Sequence, residues 1–538
     1  MGYYLNPGDI VEIYGGEASK PYFVDKTGML DELIPLVEQR GSFLAVTAPR
    51  RFGKSVMAAM IGAYFGKGAD ASELFDSLKI AQNKKYAEHL NKHNLIYIDF
   101  SKDVGKCKTY DEYIETIEER IFTDLKEAYP DVNLDNEISV GAALRVVSLA
   151  NKNEKFILLF DEWDYIFHRK YFTEQDRGRF TAFLGDMTKG RSYVELAYLT
   201  GILPIRKYSS SDTLNNFDEY NMAASDIFGE YLGFTESEVD ELYERYLKNC
   251  ANPAFTREEL AQWYDGYHMA GGKSIYNPNS VVKALTRNRI NDYWLKFGEY
   301  GELSDYVLND VDGVREDVMM LVAGEAVEAN ISEYASTAPE LTKKNQILSA
   351  MVVYGYLNNC DSHVRIPNKE LAMEFDNIIQ EEPKYSYLRE LGKVSKRILQ
   401  ATYDGNEDMV GEMLAIVHTT ESPLKAYNDE AELSGSVKLA YIAARDRYDM
   451  EREDQAGMGY VDYIFYPHNR ADDGIIIELK VDDTPENALK QIKKRDYALK
   501  FKGKVGEKPR TTGRIILVGI GYYREDKTHK CKIEIHDA

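Results

Sequence analysis

Cysteine is scarce and scattered: Cys107, Cys250, Cys360 and Cys531 are the only four in 538 residues. They show neither the close pairing of a zinc site nor the density of a disulfide scaffold, and read as free thiols. No stretch reaches the roughly 18 unbroken apolar residues of a membrane span. Residues 1–14 have neither the basic start nor the apolar run of a secretory signal, so a cytoplasmic protein with no membrane partner is expected. Positive charge is also short. A formal net charge of −23 argues against coating nucleic acid through the general surface, which needs clustered Lys and Arg. No fixed-period repeat or low-complexity tract is evident.

What is present is a chain 44% hydrophobic and 29% charged, enough for several cores. Its first half alternates short apolar runs with amphipathic stretches, the sequence form of a parallel sheet covered by helices. Strands are expected at 43–47, 95–100, 156–160 and 194–200, with helices such as 55–65 and 110–129 as crossovers. From about residue 235 the pattern turns mostly helical, at 236–249, 257–264 and 280–289, which reads as a lid or connector. A long helix near 385–403 leads to strands at 460–466 and 474–481, a basic helix at 485–500 and a strand at 512–520. The expected fold is therefore α/β: a P-loop parallel sheet with helices on both faces (1–234), a helical connector (235–383) and a small C-terminal α/β domain (384–538).

Ala48-Pro49-Arg50-Arg51-Phe52-Gly53-Lys54-Ser55 follows an apolar strand and opens a helix, the context a phosphate-binding loop requires. Backbone N–H groups of Arg50, Arg51, Phe52 and Gly53 would wrap nucleotide phosphates, Lys54 would reach the β and γ phosphates, and Ser55 would ligate Mg²⁺. Ala48 stands where the usual pattern has its first glycine. Downstream, Phe156-Ile157-Leu158-Leu159-Phe160 ends in Asp161-Glu162. Asp161 would hold the metal through water and Glu162 would orient and deprotonate the attacking water. Thr200, ending another strand, is a candidate γ-phosphate sensor, and Arg206 or Lys207 a candidate finger in cis or toward a neighbouring subunit.

Near the C-terminus, Asp462 lies in one strand and Glu478 and Lys480 in the next. Residues two apart share a strand face, and hairpin pairing can bring Asp462 beside that pair. Two carboxylates form a hard oxygen site for Mg²⁺ or Mn²⁺, and Lys480 can position water or stabilise phosphorane charge. An isolated Glu-x-Lys occurs in many exposed strands. Here it stands in the apolar run 475–481, where an unpartnered charge is costly. Between Asn487 and Arg514 lie ten basic residues (Lys490, Lys493, Lys494, Arg495, Lys500, Lys502, Lys504, Lys508, Arg510 and Arg514) against Asp496 and Glu507, a candidate nucleic-acid contact.

Together these residues resemble a bacterial family that joins an AAA-ATPase-like domain to a C-terminal PD-(D/E)XK nuclease-superfamily domain. Tyr22-Phe23-Val24-Asp25-Lys26-Thr27 is similar to its opening motif, and residues 48–55 match its arginine-bearing P-loop, Ala48 included. Trp263-Tyr264-Asp265-Gly266-Tyr267 with Tyr276-Asn277-Pro278 resembles its most recognisable block, which carries no evident chemistry. Asp462, Glu478 and Lys480 fall on the nuclease core motif, Gln491 and Tyr497 on a flanking helix, and Glu430 on a first-helix acidic position that can supply another metal ligand. The resemblance implies ATP and Mg²⁺ as cofactors and metal-dependent cleavage of nucleic acid. Two other readings stay open: a nucleotide switch whose nuclease fold is an inactive docking module for a protein partner, and a remodelling ATPase that assembles as a homo-oligomer.

Overall fold

The computed structural model describes residues 2–102, 107–169, 171–205, 213–221, 228–268, 272–294, 306–307, 309, 311–322, 324–331, 341–360, 362–381, 386–421, 427, 429–456, 459–494, 501 and 510–537. It forms two compact units, Met1–Tyr306 with Glu328–Met373, and Val307–Val327 with Glu374–Ala538.

The first unit is built on five parallel strands, β1 (Ser42–Thr47), β2 (Asn94–Asp99), β3 (Phe156–Asp161), β4 (Val194–Gly201) and β5 (Asp218–Asn221), in the order β2-β3-β4-β1-β5. Residues Phe156 to Phe160 of β3 are wholly buried, which is why this strand reads as an unbroken apolar run rather than an alternation. The polar strand β5 was not anticipated from sequence. Its pairing with β1, Val46 opposite Tyr220, makes it a strand.

Register decides where the chemistry can be. Thr47 pairs with Gly201, and the Ala48 N–H donates to Gly201 O at 3.2 Å, so the loop after β1 leaves beside the end of β4. Asp99 pairs with Asp161, placing two carboxylates at one edge of the sheet. The helices of this unit carry the expected start signals. Thr235 with Glu238 and Thr256 with Glu259 form capping boxes, and Asn277 caps Pro278–Arg287 with Pro278 in the first turn.

The second unit holds a five-stranded sheet, β6 (Tyr448–Ala456), β7 (Gly459–Pro467), β8 (Gly474–Val481), β9 (Arg514–Tyr523) and β10 (Thr528–Asp537), in sequence order. Neighbours are antiparallel except β8 and β9, which are parallel and joined through the helix Pro485–Lys494. Alternation along β8 divides its residues between two cores. Ile475, Ile477 and Leu479 pack with Leu433 and Val437 of the helix Glu430–Ala440 and with residues of Ser386–Tyr403 and Glu407–Glu421. Ile476 faces Leu489 and Ile492 of the helix Pro485–Lys494. No described helix is long and apolar enough to cross a membrane.

Candidate functional site

The P-loop opens the helix Lys54–Phe65 from Gly53, whose φ of +89° is left-handed, and no atom lies within 4 Å of where a Cβ would stand. The obstacle to a side chain there is thus the backbone conformation, not space. Residues 50–57 line a cavity of about 980 Å³, with Glu162 and His168 on another side. The opening motif finds a place here too. Tyr22, Phe23, Val24 and Lys26 line the cavity, as do Lys283 and Arg287 of the helix Pro278–Arg287.

The cavity lining is predominantly basic, and the buried carboxylates Asp161 and Asp164 lie behind it. Lys54 is 5% exposed, its Nζ donating to Pro49 O at 2.9 Å. Burial pulls the ammonium below the usual lysine range, against Glu162, Asp164 and Asp161. Asp161 is fully buried and pushed up to about 7, first by burial and then by Asp99 and Glu162, while the Ser55 hydroxyl bonded to it and Lys54 pull the other way. Burial likewise raises Glu162, opposed by Lys54. A divalent cation and polyphosphate are the groups that such an assembly of hydroxyl, carboxylates and ammonium would hold.

The sequence-selected residues do not all meet in the cavity. Arg50, Arg51, Phe52, Gly53, Lys54, Ser55 and Glu162 line it, whereas Thr200 is buried with its hydroxyl donating to Val46 O at 2.9 Å, joining β4 to β1. Arg206 and Lys207 lie outside the described residues. Within the loop, Arg51 Nη1 donates to Tyr293 O at 3.0 Å. Phe52 is buried edge-on against Tyr267, with centroids 4.9 Å apart, and its carbonyl accepts the Gly233 N–H.

The aromatic block thereby acquires a physical role. Tyr267 supports Phe52 and donates to Gly355 O at 2.9 Å, Tyr264 Oη donates to Asn291 O at 2.8 Å, and Ser274 is hydrogen-bonded to Asp265. These bonds hold the back of the P-loop against the helical part of the same unit.

Glu370, which sequence reasoning missed, completes that support. It is wholly buried, and its Oε1 accepts Tyr293 N–H at 2.6 Å and Ser280 Oγ–H at 3.0 Å. Burial pushes its carboxyl up to about 7 from an ordinary 4.5, although the Tyr293 N–H and Ser280 hydroxyl pull it down. Between those values the folded state binds more protons than the unfolded one, so this group's contribution is complete below 4.5 and is lost as pH rises through 7. The loss amounts to about 3 kcal/mol. Glu370→Gln should therefore match the native protein near pH 4.5 and exceed it in chemical denaturation at pH 8. An unchanged difference at the two pH values would remove Glu370 as the cause.

The second candidate site lies at the end of β8. The β7–β8 ladder runs from Phe465 opposite Ile475 to Tyr463 opposite Ile477. One residue further along β7, Asp462 Oδ2 accepts the Leu479 N–H at 2.8 Å, a side chain substituting for the backbone ladder. Glu478, 2% exposed, is hydrogen-bonded by Gln491 Nε2 from the helix Pro485–Lys494. Lys480 Nζ donates to Glu430 Oε1 at 3.0 Å and to Leu479 O at 2.9 Å, and lies 3.7 Å from Glu478 Oε1. All five sequence-selected residues thus converge, although they come from four elements.

Among the described residues, no group of three or more His, Cys, Asp or Glu is gathered for a metal. A divalent ion at either site would complete its shell from water, phosphate or backbone oxygen, the usual habit of Mg²⁺. The carboxylates Asp462 and Glu478 fit such an ion as hard oxygen donors. In the basic segment, Lys493 is paired with Glu534, Arg510 stacks over Tyr466 and lies 3.9 Å from Glu451, and Arg514 pairs with Asp473. Arg495, Tyr497, Lys500, Lys502, Lys504 and Lys508 lie outside the described residues.

Comparison with known proteins agrees with both architectures. Residues 17–210 match the family described as predicted AAA-ATPase, and residues 430–530 match the PD-(D/E)XK nuclease superfamily. Residues 17–210 are thus an AAA-ATPase-like domain and residues 430–530 a C-terminal PD-(D/E)XK nuclease-superfamily domain. It is 24% identical over 537 residues to an uncharacterized protein in the vnfD 5′ region of Azotobacter chroococcum mcd 1, covering 95% of each chain. Among solved structures it is similar to the Walker-type ATPase of Pyrococcus abyssi (14% identity, 66% of this chain and 96% of that one, TM-score 0.37). It is also similar to the ORC2 protein of Aeropyrum pernix (11% identity, 66% and 93%, TM-score 0.29).

Proposed function

We propose that the chain binds and hydrolyses ATP at the Lys54 cavity and cleaves nucleic-acid phosphodiesters at Asp462, Glu478 and Lys480, with cleavage answering to nucleotide state. The observation that carries the nuclease reading is the convergence on one strand end of two carboxylates and a lysine, with Glu430 and Gln491 arriving from separate helices. A buried carboxylate is costly without a charged partner, and at this strand end Lys480 and a bound cation can both fill that role.

Asp462 and Glu478 would hold Mg²⁺ or Mn²⁺, which when bound activates water and screens phosphate charge. Gln491 orients Glu478, Lys480 neutralises charge developing on the phosphate, and Glu430 holds Lys480 in place. At the other site, Lys54 and the loop N–H groups bind phosphate, Ser55 and Asp161 would hold Mg²⁺, and Glu162 orients the attacking water.

Labelled single- and double-stranded DNA and RNA, incubated with Mg²⁺, Mn²⁺ or EDTA and with or without ATP, test both halves. Cleavage should require metal, disappear in Asp462→Asn, and respond to ATP in the native chain but not in Lys54→Ala. If no substrate is cut under any condition while ATP is still bound, the nuclease reading fails. The docking-module reading then takes its place.

A further inference from the structure

Sequence motifs assign γ-phosphate sensing to Thr200, yet its buried hydroxyl is already committed to Val46 O. A different pair stands at the cavity: His168 lines it, and Asp164 lies buried behind that ring. Asp164, three residues beyond the strand-ending Asp161, is wholly buried, and its Oδ2 accepts the Ile202 and Leu203 N–H groups at 2.9 and 2.8 Å. The same oxygen lies 3.0 Å from His168 Nε2. Space around it is tight, since a Cβ on Gly201 would stand 2.5 Å from Asp164 Oδ1. Burial pushes the Asp164 carboxyl up, but His168, the Leu203 N–H and Lys54 together hold it below the usual carboxylate range.

The negative charge of the Asp164 carboxylate fixes a hydrogen on His168 Nε2. That bond leaves Nδ1 as the ring's second nitrogen, which donates to an anion in the imidazolium form that two flanking negative groups, Asp164 and a phosphate, together favour. Nδ1 lies 3.5 Å from Tyr354 Oη, too long for a strong hydrogen bond. The ring lines the same cavity as Lys54 and Glu162. Lys54 is the group expected to reach the outer phosphates, and Asp164 is among the charges that act on it.

We propose that His168 contacts the terminal phosphate of a bound nucleoside triphosphate through Nδ1, and that Asp164 positions it and carries that contact to the backbone at the end of β4. The inference rests on the ATP-site reading and adds to it a residue that distinguishes triphosphate from diphosphate. Asp164 also links the contact to the Ile202–Leu203 turn, so that occupancy by the outer phosphate is felt where β4 ends beside the P-loop.

The test measures ATP and ADP affinities of the full chain with Mg²⁺, for the native protein, His168→Ala, His168→Gln and Lys54→Ala. His168→Ala should weaken ATP roughly 10-fold and leave ADP within about twofold, the effect of one charge-assisted hydrogen bond. His168→Gln, which keeps a donor, should recover part of the loss, and Lys54→Ala should weaken both nucleotides. Equal weakening of ATP and ADP by His168→Ala, or no change in either, overturns the contact while leaving the ATP site standing. A native chain that binds neither nucleotide overturns both.

Discussion

Lys480→Ala should fall by on the order of 10²–10³ in metal-dependent cleavage rate, the scale seen when one fixed donor to a developing charge is removed. The physical case starts from its surroundings. Lys480 Nζ has the Leu479 carbonyl and Glu430 as partners at 2.9 and 3.0 Å, with Glu478 at 3.7 Å. Three acceptors of negative character hold one ammonium at the strand end, so its position is set before any substrate arrives. Alanine removes that charge and also leaves Glu478, 2% exposed, without its nearest cation. Lys480→Gln, which keeps most of the side-chain volume without the charge, separates loss of the charge from loss of packing. Both variants should remain folded by circular dichroism and both should lose cleavage. Cleavage by Lys480→Ala within about twofold of native would remove Lys480 from the reaction.

Gly266→Ala should destabilise the first unit by roughly 4 kcal/mol, from a side chain in a disfavoured backbone region together with a steric collision. Gly266 has φ +107°, and an added Cβ would stand 1.9 Å from the Pro367 carbonyl oxygen, a backbone atom with no rotamer by which to retreat. The next residue, Tyr267, supports Phe52 of the P-loop, so ATP affinity should fall along with stability. Gly41→Ala is the internal control. Its φ is +72° and its Cβ would meet nothing within 4 Å, so it carries the conformational cost alone, about 1–2 kcal/mol. Chemical denaturation of the two variants checks the difference. Equal destabilisation would mean that the loop after Pro367 shifts to admit the side chain.

Legibility in the sequence followed the range of the interaction. The first four strands of the parallel sheet were readable because burial on both faces writes a continuous apolar run, and the P-loop because its chemistry lies in eight consecutive residues. Strand β10 was not anticipated, although Cys531, Ile533 and Ile535 alternate there with Lys530, Lys532 and Glu534 in the two-residue period of a strand. Strand β6, Tyr-Asp-Met-Glu-Arg-Glu-Asp-Gln-Ala, carries too little apolar character for that signal, and its place comes from pairing with β7. Basic residues 490–514 looked like an open electropositive segment. Two of their described members, Lys493 and Arg514, pair with Glu534 and Asp473, partners that no local window contains.

By itself, then, the sequence marked out the candidate side chains for chemistry: Lys54, Ser55, Asp161 and Glu162 on one side, Asp462, Glu478 and Lys480 on the other. Residue type and strand or loop spacing are local properties, and these groups need nothing more to be recognised. Only the tertiary structure decided what each of them touches. Thr200 turned to Val46, Asp164 to His168 and the end of β4, Phe52 to Tyr267, and Glu370 to the backbone beside Arg51. Those contacts join residues up to hundreds of positions apart, and they are selected by close packing and by the requirement that buried polar groups find partners. Both conditions act on the folded whole rather than on any stretch of chain.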